Sequence, residues 1–338
     1  VPEGTRFRHG LVIGKFAPLH AGHQLLIDTA FGECDQVSVW CYSNPDFPDM
    51  PAPVRHAWLR ELYPHARVLP EPENPPGNDV ADDVHARFVR AELARLGVAP
   101  DVVFTSEAYG EGLAAHLGIP HRLVDPKRTR VPVSGTLVRR DVHAARAWLD
   151  ARVYGHFIER VVLMGAESTG KSTLTRALAD AFGTLGVQEY GRDVFEREGG
   201  VLRPEHFVEI ARGHRALEDE AVRSGGVHRY LFVDTNAVTT LMWSFLLTRT
   251  ALPDVLRLAG ECRERYAHVF VCADDLAFEQ DGWRSNTSVR AVQQAWVLHD
   301  LTVRGIPFVV LRGTVEERLQ QVITHLAAAE RGLMKAQT

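Results

Sequence analysis

The chain has 338 residues, 45% of them hydrophobic and 24% charged, with a formal net charge of -5. That length holds two ordinary domains, and that composition is the mix of a globular protein with packed cores. The charge balance excludes a general basic field for nucleic acid, and no apolar run approaches the ~20 residues of a membrane helix.

Taken in chain order, residues 10–14 (GLVIG) read as a buried strand, 22–31 as a helix, 36–42 (QVSVWCY) as a strand and 54–63 as a helix. The Pro-, Glu- and Asn-rich stretch 70–78 interrupts this alternation, and we read it as a loop beside a ligand site rather than a domain boundary. Residues 82–96 carry Val84, Phe88, Leu93 and Leu96 at helical spacing. Strands are predicted at 101–105 and 121–125, and a closing helix at 135–149. The pattern restarts after Tyr154: strand 160–164, helix 171–182, helix 205–223, strand 230–234, helices 237–247 and 253–266, strand 268–272, helix 289–304, strand 307–311 and a terminal helix after 314. Strand and helix in alternation imply parallel sheets covered on both faces. The expected fold is therefore α/β with two parallel-sheet domains, 1–155 Rossmann-like and 156–338 following it.

Cys34, Cys41, Cys262 and Cys272 form no CxxC pair. Neither a zinc knuckle nor a disulfide framework is suggested, and reduced thiols in a cytoplasm are expected. The polar start carries no secretory signal. Only four basic residues are lysine, at 15, 127, 171 and 335, and two of these fall in phosphate-type segments.

The first segment is Gly14-Lys15-Phe16-Ala17-Pro18-Leu19-His20-Ala21-Gly22-His23, placed where a strand hands over to a helix. In an open α/β sheet ligands sit in that crevice, and a helix start offers free N–H groups to phosphate. His20 and His23 can donate to a polyphosphate, Lys15 adds a point charge, and Gly22 lets the backbone come close. Ser134-Gly135-Thr136 with Arg139 one turn later is a second anion-binding segment closing the same unit.

Residues 165–172 (GAESTGKS) fit G-x-x-x-x-G-K-[ST] after an apolar strand and before a helix. The backbone of Gly165, Glu167, Ser168, Thr169 and Gly170 would cradle phosphates, with Thr173 following on. Lys171 would reach the β/γ oxygens and Ser172 would hold Mg²⁺. Asp234, at the end of the strand LFVD, supplies a second metal carboxylate. Glu189 opens the polar cluster Glu189-Tyr190-Gly191-Arg192-Asp193. Glu189 or Asp234 could deprotonate a substrate hydroxyl, and the sequence does not decide between them. Arg284 in Asp281-Gly282-Trp283-Arg284-Ser285 could act as a lid arginine on transferring phosphate.

The first unit resembles the HxGH nucleotidyltransferase superfamily. Taken together, GKFAPLHAGH, TSEAYG (105–110), VDPKRTRVPVSGTLVR (124–139), GAESTGKST, EYGRD, FVDTNAVTT (232–240) and DGWRS resemble the bifunctional nicotinamide-nucleotide adenylyltransferase/ribosylnicotinamide kinase (NadR-type) family. That resemblance implies ATP-dependent phosphorylation of nicotinamide riboside by the P-loop unit. Adenylyl transfer to the resulting mononucleotide by the HxGH unit would then give NAD and pyrophosphate. The alternative it leaves is a kinase whose first unit has become a weak transferase or an NAD/ATP sensor. For the pyridinium, Trp40, Phe278 and Trp283 are candidate aromatic faces, with Tyr190, Arg192, Asp193 and Asp281 as further substrate contacts.

Two departures from the pattern stand out. The first strand begins about ten residues in, so the helix-turn-helix domain of some members, and DNA as a partner, are not expected. Asn236 stands where the family often has an acid. Small-molecule substrates are the expected partners, membrane insertion is not expected, and a homo-oligomer is left open.

Overall fold

The computed structural model describes residues 6–277 and 287–336. Its contacts divide the chain into two compact units between His156 and Phe157.

The first unit runs β1 (Phe7–Gly14), α1 (Ala21–Glu33), β2 (Cys34–Cys41), α2 (Ala52–Leu62), β3 (Arg67–Val68), α3 (Asp82–Arg95), β4 (Val102–Thr105), α4 (Tyr109–Leu117), β5 (His121–Leu123), α5 (Gly135–Arg140) and α6 (Ala151–Tyr154). The strands form one parallel sheet in the order β3-β2-β1-β4-β5. Consecutive residues Leu11, Val12 and Ile13 are all buried, as expected where helices cover both faces of a sheet. Each such side chain removed from water contributes about 1.5–3 kcal/mol. The chain builds outward from β1 to one side, then returns to the other. The carboxyl end of β1 is thus a topological switch point.

Two expectations for this unit are corrected. The closing helix stops at Arg140 and does not continue to 149. Asp141 adopts an extended backbone (φ −157°), and its Oδ1 accepts from the N–H groups of His143 and Ala144 at 3.1 and 2.9 Å. That local competition starts a fresh turn. Residues 109–117, where no helix was predicted, form α4, ended by Gly118 in the left-handed region.

The second unit runs β6 (Glu159–Met164), α7 (Lys171–Phe182), β7 (Gly186–Val187), α8 (Tyr190–Arg197), α9 (Pro204–Arg223), β8 (Tyr230–Asp234), α10 (Ala237–Thr248), α11 (Pro253–Gly260), α12 (Cys262–Arg265), β9 (His268–Cys272), α13 (Thr287–Val303), β10 (Val309–Leu311) and α14 (Val315–Ala336). Its parallel sheet has the order β10-β9-β6-β8-β7. Here the switch point is at β6, with β8 and β9 as its two neighbours. The core joins Val161, Leu163, Leu174, Leu178, Phe232 and Phe270 across sheet and helices. The single helix expected at 253–266 is two helices that meet at Glu261. All four cysteines are buried and unbridged. Among the described residues no helix is long and apolar enough to cross a membrane.

Candidate active sites

In the first unit the segment after β1 ends in His20, whose extended backbone caps α1. His20 Nδ1 accepts from Gly22 N–H at 3.1 Å, and His23 Nδ1 accepts from His20 N–H at 3.4 Å. The two rings stack with centroids 3.8 Å apart. With both Nδ1 atoms accepting, the neutral rings carry their protons on Nε2, which makes each a hydrogen-bond donor. Burial, aided by the Arg128 and Arg139 guanidiniums, lowers the His20 pKa from 6.5 to about 4. Burial and then the neighbouring His20 hold His23 well below the ordinary imidazole range. Without a ligand the pair is therefore uncharged.

Fixed positive charge comes from Lys15 and Arg139. Lys15 is exposed, and its pKa is lowered by partial desolvation and then by Arg139, against Glu107. Arg139 donates to Ala17 O at 2.6 Å and to Thr136 Oγ1 at 3.2 Å, which ties α5 to the loop after β1. Ser134 Oγ caps α5 by accepting from Leu137 N–H at 3.2 Å. A cavity of about 70 Å³ opens here, lined by His20, Gly22, His23, Asp125, Arg128 and Gly135 among others.

One expected contact is corrected. Trp40 is fully buried; it packs on Phe88 and Tyr42 and donates from Nε1 to Pro70 O at 3.0 Å, so it offers no face to a ligand. The Phe16 side chain is also fully buried, with its ring centroid 4.9 Å from that of His23. Sequence reasoning missed Arg55. Its fully buried guanidinium donates to the Lys15 carbonyl, to Met50 O at 3.0 Å and to Ser43 Oγ at 3.1 Å, and pairs with Asp46.

In the second unit Gly165 (φ +135°) and Gly170 (φ +79°) take backbone conformations that favour glycine. Lys171 Nζ and Thr169 Oγ1 both donate to Ala166 O, at 2.7 and 2.8 Å. The loop is braced from α13. Gln294 accepts from Ala166 N–H at 2.9 Å and donates to Cys272 O at 3.1 Å; Gln293 accepts from Glu167 N–H at 3.0 Å; Arg290 donates to Ser168 O at 3.2 Å. None of these three was singled out in the sequence. Ser172 and Thr173 open α7 beside the loop.

Asp234 stands at the end of β8, in register with Leu163 of β6. It is fully buried, and neither carboxylate oxygen has a hydrogen-bond partner; the buried hydroxyls of Thr235 and Thr239 likewise have none. An orphaned buried carboxylate beside a phosphate loop fits a divalent cation shared with Ser172. Burial and then the Asp234 charge raise the Glu189 pKa, opposed by Lys171 and Arg192. Asn236, where an acid was expected, caps α10: its Oδ1 accepts from Val238 N–H at 3.0 Å.

These groups share a cavity of about 930 Å³ with Tyr190, Arg192 and Asp193, and with His214, Phe207 and Trp243. Its size suits a nucleotide beside a second small molecule. Along α10 the lining residues Asn236, Thr239, Thr240 and Trp243 recur at helical spacing, a stripe that would have revealed Trp243 in the sequence. Phe278, Asp281, Trp283 and Arg284 lie outside the described residues. No cluster of three or more His, Cys, Asp or Glu side chains able to hold a metal occurs among the described residues.

Comparison with known proteins extends this picture. The AAA domain family matches residues 160–318. The trifunctional NAD biosynthesis/regulator protein NadR of Escherichia coli (strain K12) is 31% identical over 296 residues, covering 82% of this chain and 71% of the relative. The nicotinamide-nucleotide adenylyltransferase of Methanocorpusculum labreanum is 29% identical over 144 residues, 42% of this chain and 83% of that protein. A crystal structure of NadR with NAD and AMP-PNP superposes with a TM-score of 0.71 at 21% identity, covering 95% and 96% of the two chains. The NadR structure with NR gives 0.70, also at 21% identity, over 91% and 90%. At that identity the structures establish a shared fold. By its sequence identity to the Escherichia coli protein over most of both chains, the chain belongs to the NadR family of transferases.

Proposed function

We propose that the chain carries out two consecutive ATP-dependent reactions, riboside phosphorylation in the second unit and adenylyl transfer in the first. The observation that supports this is that segments 14–23 and 165–172 each follow the strand at the switch point of a sheet, with a cavity beside each one. The kinships to NadR and to a nicotinamide-nucleotide adenylyltransferase support nicotinamide riboside and its mononucleotide as substrates.

In the second unit the 5′-hydroxyl of the riboside attacks the γ-phosphorus of ATP and ADP leaves. Glu189, which opens α8 at the cavity, is the base assigned to accept the hydroxyl proton, because Asp234 is assigned to the cation. Asp234, buried and without a partner, then serves with Ser172 as the cation site. Asp234 and Ser172 would hold a magnesium ion there, which would supply charge neutralisation to the transferring phosphates. Lys171 leaves Ala166 O to reach the phosphates. Tyr190 and Trp243 supply the aromatic wall that suits a pyridinium cation.

In the first unit a phosphate oxygen of the mononucleotide attacks the α-phosphorus of a second ATP and pyrophosphate leaves. The attacking group carries no proton to remove, so no base is needed. Lys15 and Arg139 with the Nε2–H groups of His20 and His23 neutralise and orient the triphosphate.

Incubating the protein with ATP, Mg²⁺ and nicotinamide riboside should yield NAD and pyrophosphate. Lys171→Ala should lower mononucleotide formation by about a hundredfold or more while sparing adenylyl transfer from supplied mononucleotide, and His23→Ala should do the reverse. Loss of both activities in either folded variant contradicts the two-site scheme.

A further inference from the structure

His214 lies on α9, almost fully buried at 4% exposure, and the scheme above gives it no task. Its two ring nitrogens face opposite demands. Nδ1 lies 3.4 Å from Tyr190 N–H, where only a lone pair suits, and Nε2 lies 3.2 Å from the Thr235 carbonyl, where only a proton suits. One tautomer alone, neutral with Nε2–H, satisfies both. Glu218 stands 4.0 Å from Nε2 and is itself fully buried. It is engaged by Tyr266 Oη at 2.7 Å and Arg265 Nε at 2.9 Å.

The two partners of His214 adjoin the two carboxylates of the site. Tyr190 follows Glu189 at the start of α8, and Thr235 follows Asp234 at the end of β8. Thr235 has φ +69°, a left-handed conformation that a threonine holds only under external restraint. Its N–H already donates to Leu163 O at 2.9 Å, so the His214 bond restrains the other end of the same residue. The preceding residue on α9 adds an independent sign. A Cβ on Gly213 would lie 2.2 Å from Tyr190 Cε1, so α9 receives the Tyr190 ring only because that position is glycine.

We propose that Gly213 and His214 form a positioning pair that holds Glu189 and Asp234 in working register across the cavity. Gly213 seats the Tyr190 ring, and His214 pins the start of α8 to the turn after β8. The inference rests on the riboside-kinase reading and deepens it. Both are assigned to positioning: Gly213 acts through the Tyr190 ring, and His214 through the Tyr190 N–H and the Thr235 carbonyl.

The test uses the full chain with His214→Leu, His214→Gln, His214→Asn and Gly213→Ala. Adenylyl transfer from supplied mononucleotide by the first unit is the internal control. In riboside phosphorylation, His214→Leu should lower kcat by roughly thirtyfold or more, with the KM for ATP within about threefold of the parent, because the Thr235 carbonyl loses its donor. Glutamine places a donor where Nε2 stood and should restore kcat to within about fivefold, whereas the shorter asparagine, matching Nδ1, should not. Gly213→Ala should raise the riboside KM by about tenfold with a smaller change in kcat.

Unchanged kcat in His214→Leu, or equal rates in the Gln and Asn variants, overturns the proposal. A parent chain that forms no mononucleotide sinks the kinase reading instead. A readout free of turnover remains in that case: the imidazole nitrogen shifts of His214 should report a neutral Nε2–H ring at pH 7. A cationic or Nδ1–H ring would overturn the pinning whatever the substrate.

Discussion

At the scale of single residues, the stacked histidines after β1 are donors kept neutral by desolvation, and this couples the fold to pH. The folded His20 pKa is about 4, against 6.5 for an unrestrained ring. Between those values the unfolded chain binds a proton that the folded chain refuses, so stability falls as pH drops through that window. The shift corresponds to roughly 3 kcal/mol from this one ring, all of it present above pH 6.5. His23 acts in the same direction. Urea denaturation at pH 7 and pH 5 should show a clear loss at the lower pH, and His20→Asn should flatten that dependence. An equally steep profile in the variant would refute the assignment. A bound triphosphate works against the desolvation by supplying negative charge, so nucleotide binding to the first unit should draw protons from the buffer near pH 6. Titration calorimetry in buffers of different ionisation enthalpy measures this.

At the scale of elements, the phosphate loop of the second unit owes its shape to α13 as much as to its own glycines. Gln294 satisfies one buried N–H and one buried carbonyl at once. Gln294→Leu leaves both without a partner and should cost about 1–3 kcal/mol in the stability of that unit. Weaker ATP binding there, with the first unit unaffected, is the expected calorimetric result. This bracing was not legible in the sequence, because a buried glutamine on a helix looks like any polar residue until its partner is in place. The loop itself was legible: G-x-x-x-x-G-K-S puts its chemistry into contiguous residues, as does the His20–His23 turn. Long apolar-periodic helices and central strands were legible for the same reason. The misses share a cause as well. The strands β3 and β7 are two residues each, α4 is rich in glycine and alanine, and the early end of α5 depends on one aspartate competing for backbone N–H groups. Trp40 could be read either as core or as ligand face, and only its packing on Phe88 and Tyr42 decided for the core.

At the scale of the whole molecule, each unit carries its own sheet and core, and each has been assigned its own phosphate-binding segment. A nonhydrolysable ATP analogue should therefore titrate with two sites per chain. Lys171→Ala should remove one of them and leave the affinity of the other unchanged. A single site in the parent protein would contradict the proposed division of labour.

Asp234 and Leu163 are ladder partners on adjoining strands, and the phosphate loop leaves β6 immediately beyond Leu163 and Met164. The backbone separation between Asp234 and the strand that leads into the loop is thus set by interstrand spacing, about 4.8 Å, rather than by any connecting segment. Hydrogen-bonded ladders do not stretch. Substitutions on α10 can therefore reshape the nucleoside end of the cavity, altering which base or sugar is admitted, while the backbone spacing between Asp234 and the strand leading into the loop stays calibrated by the sheet.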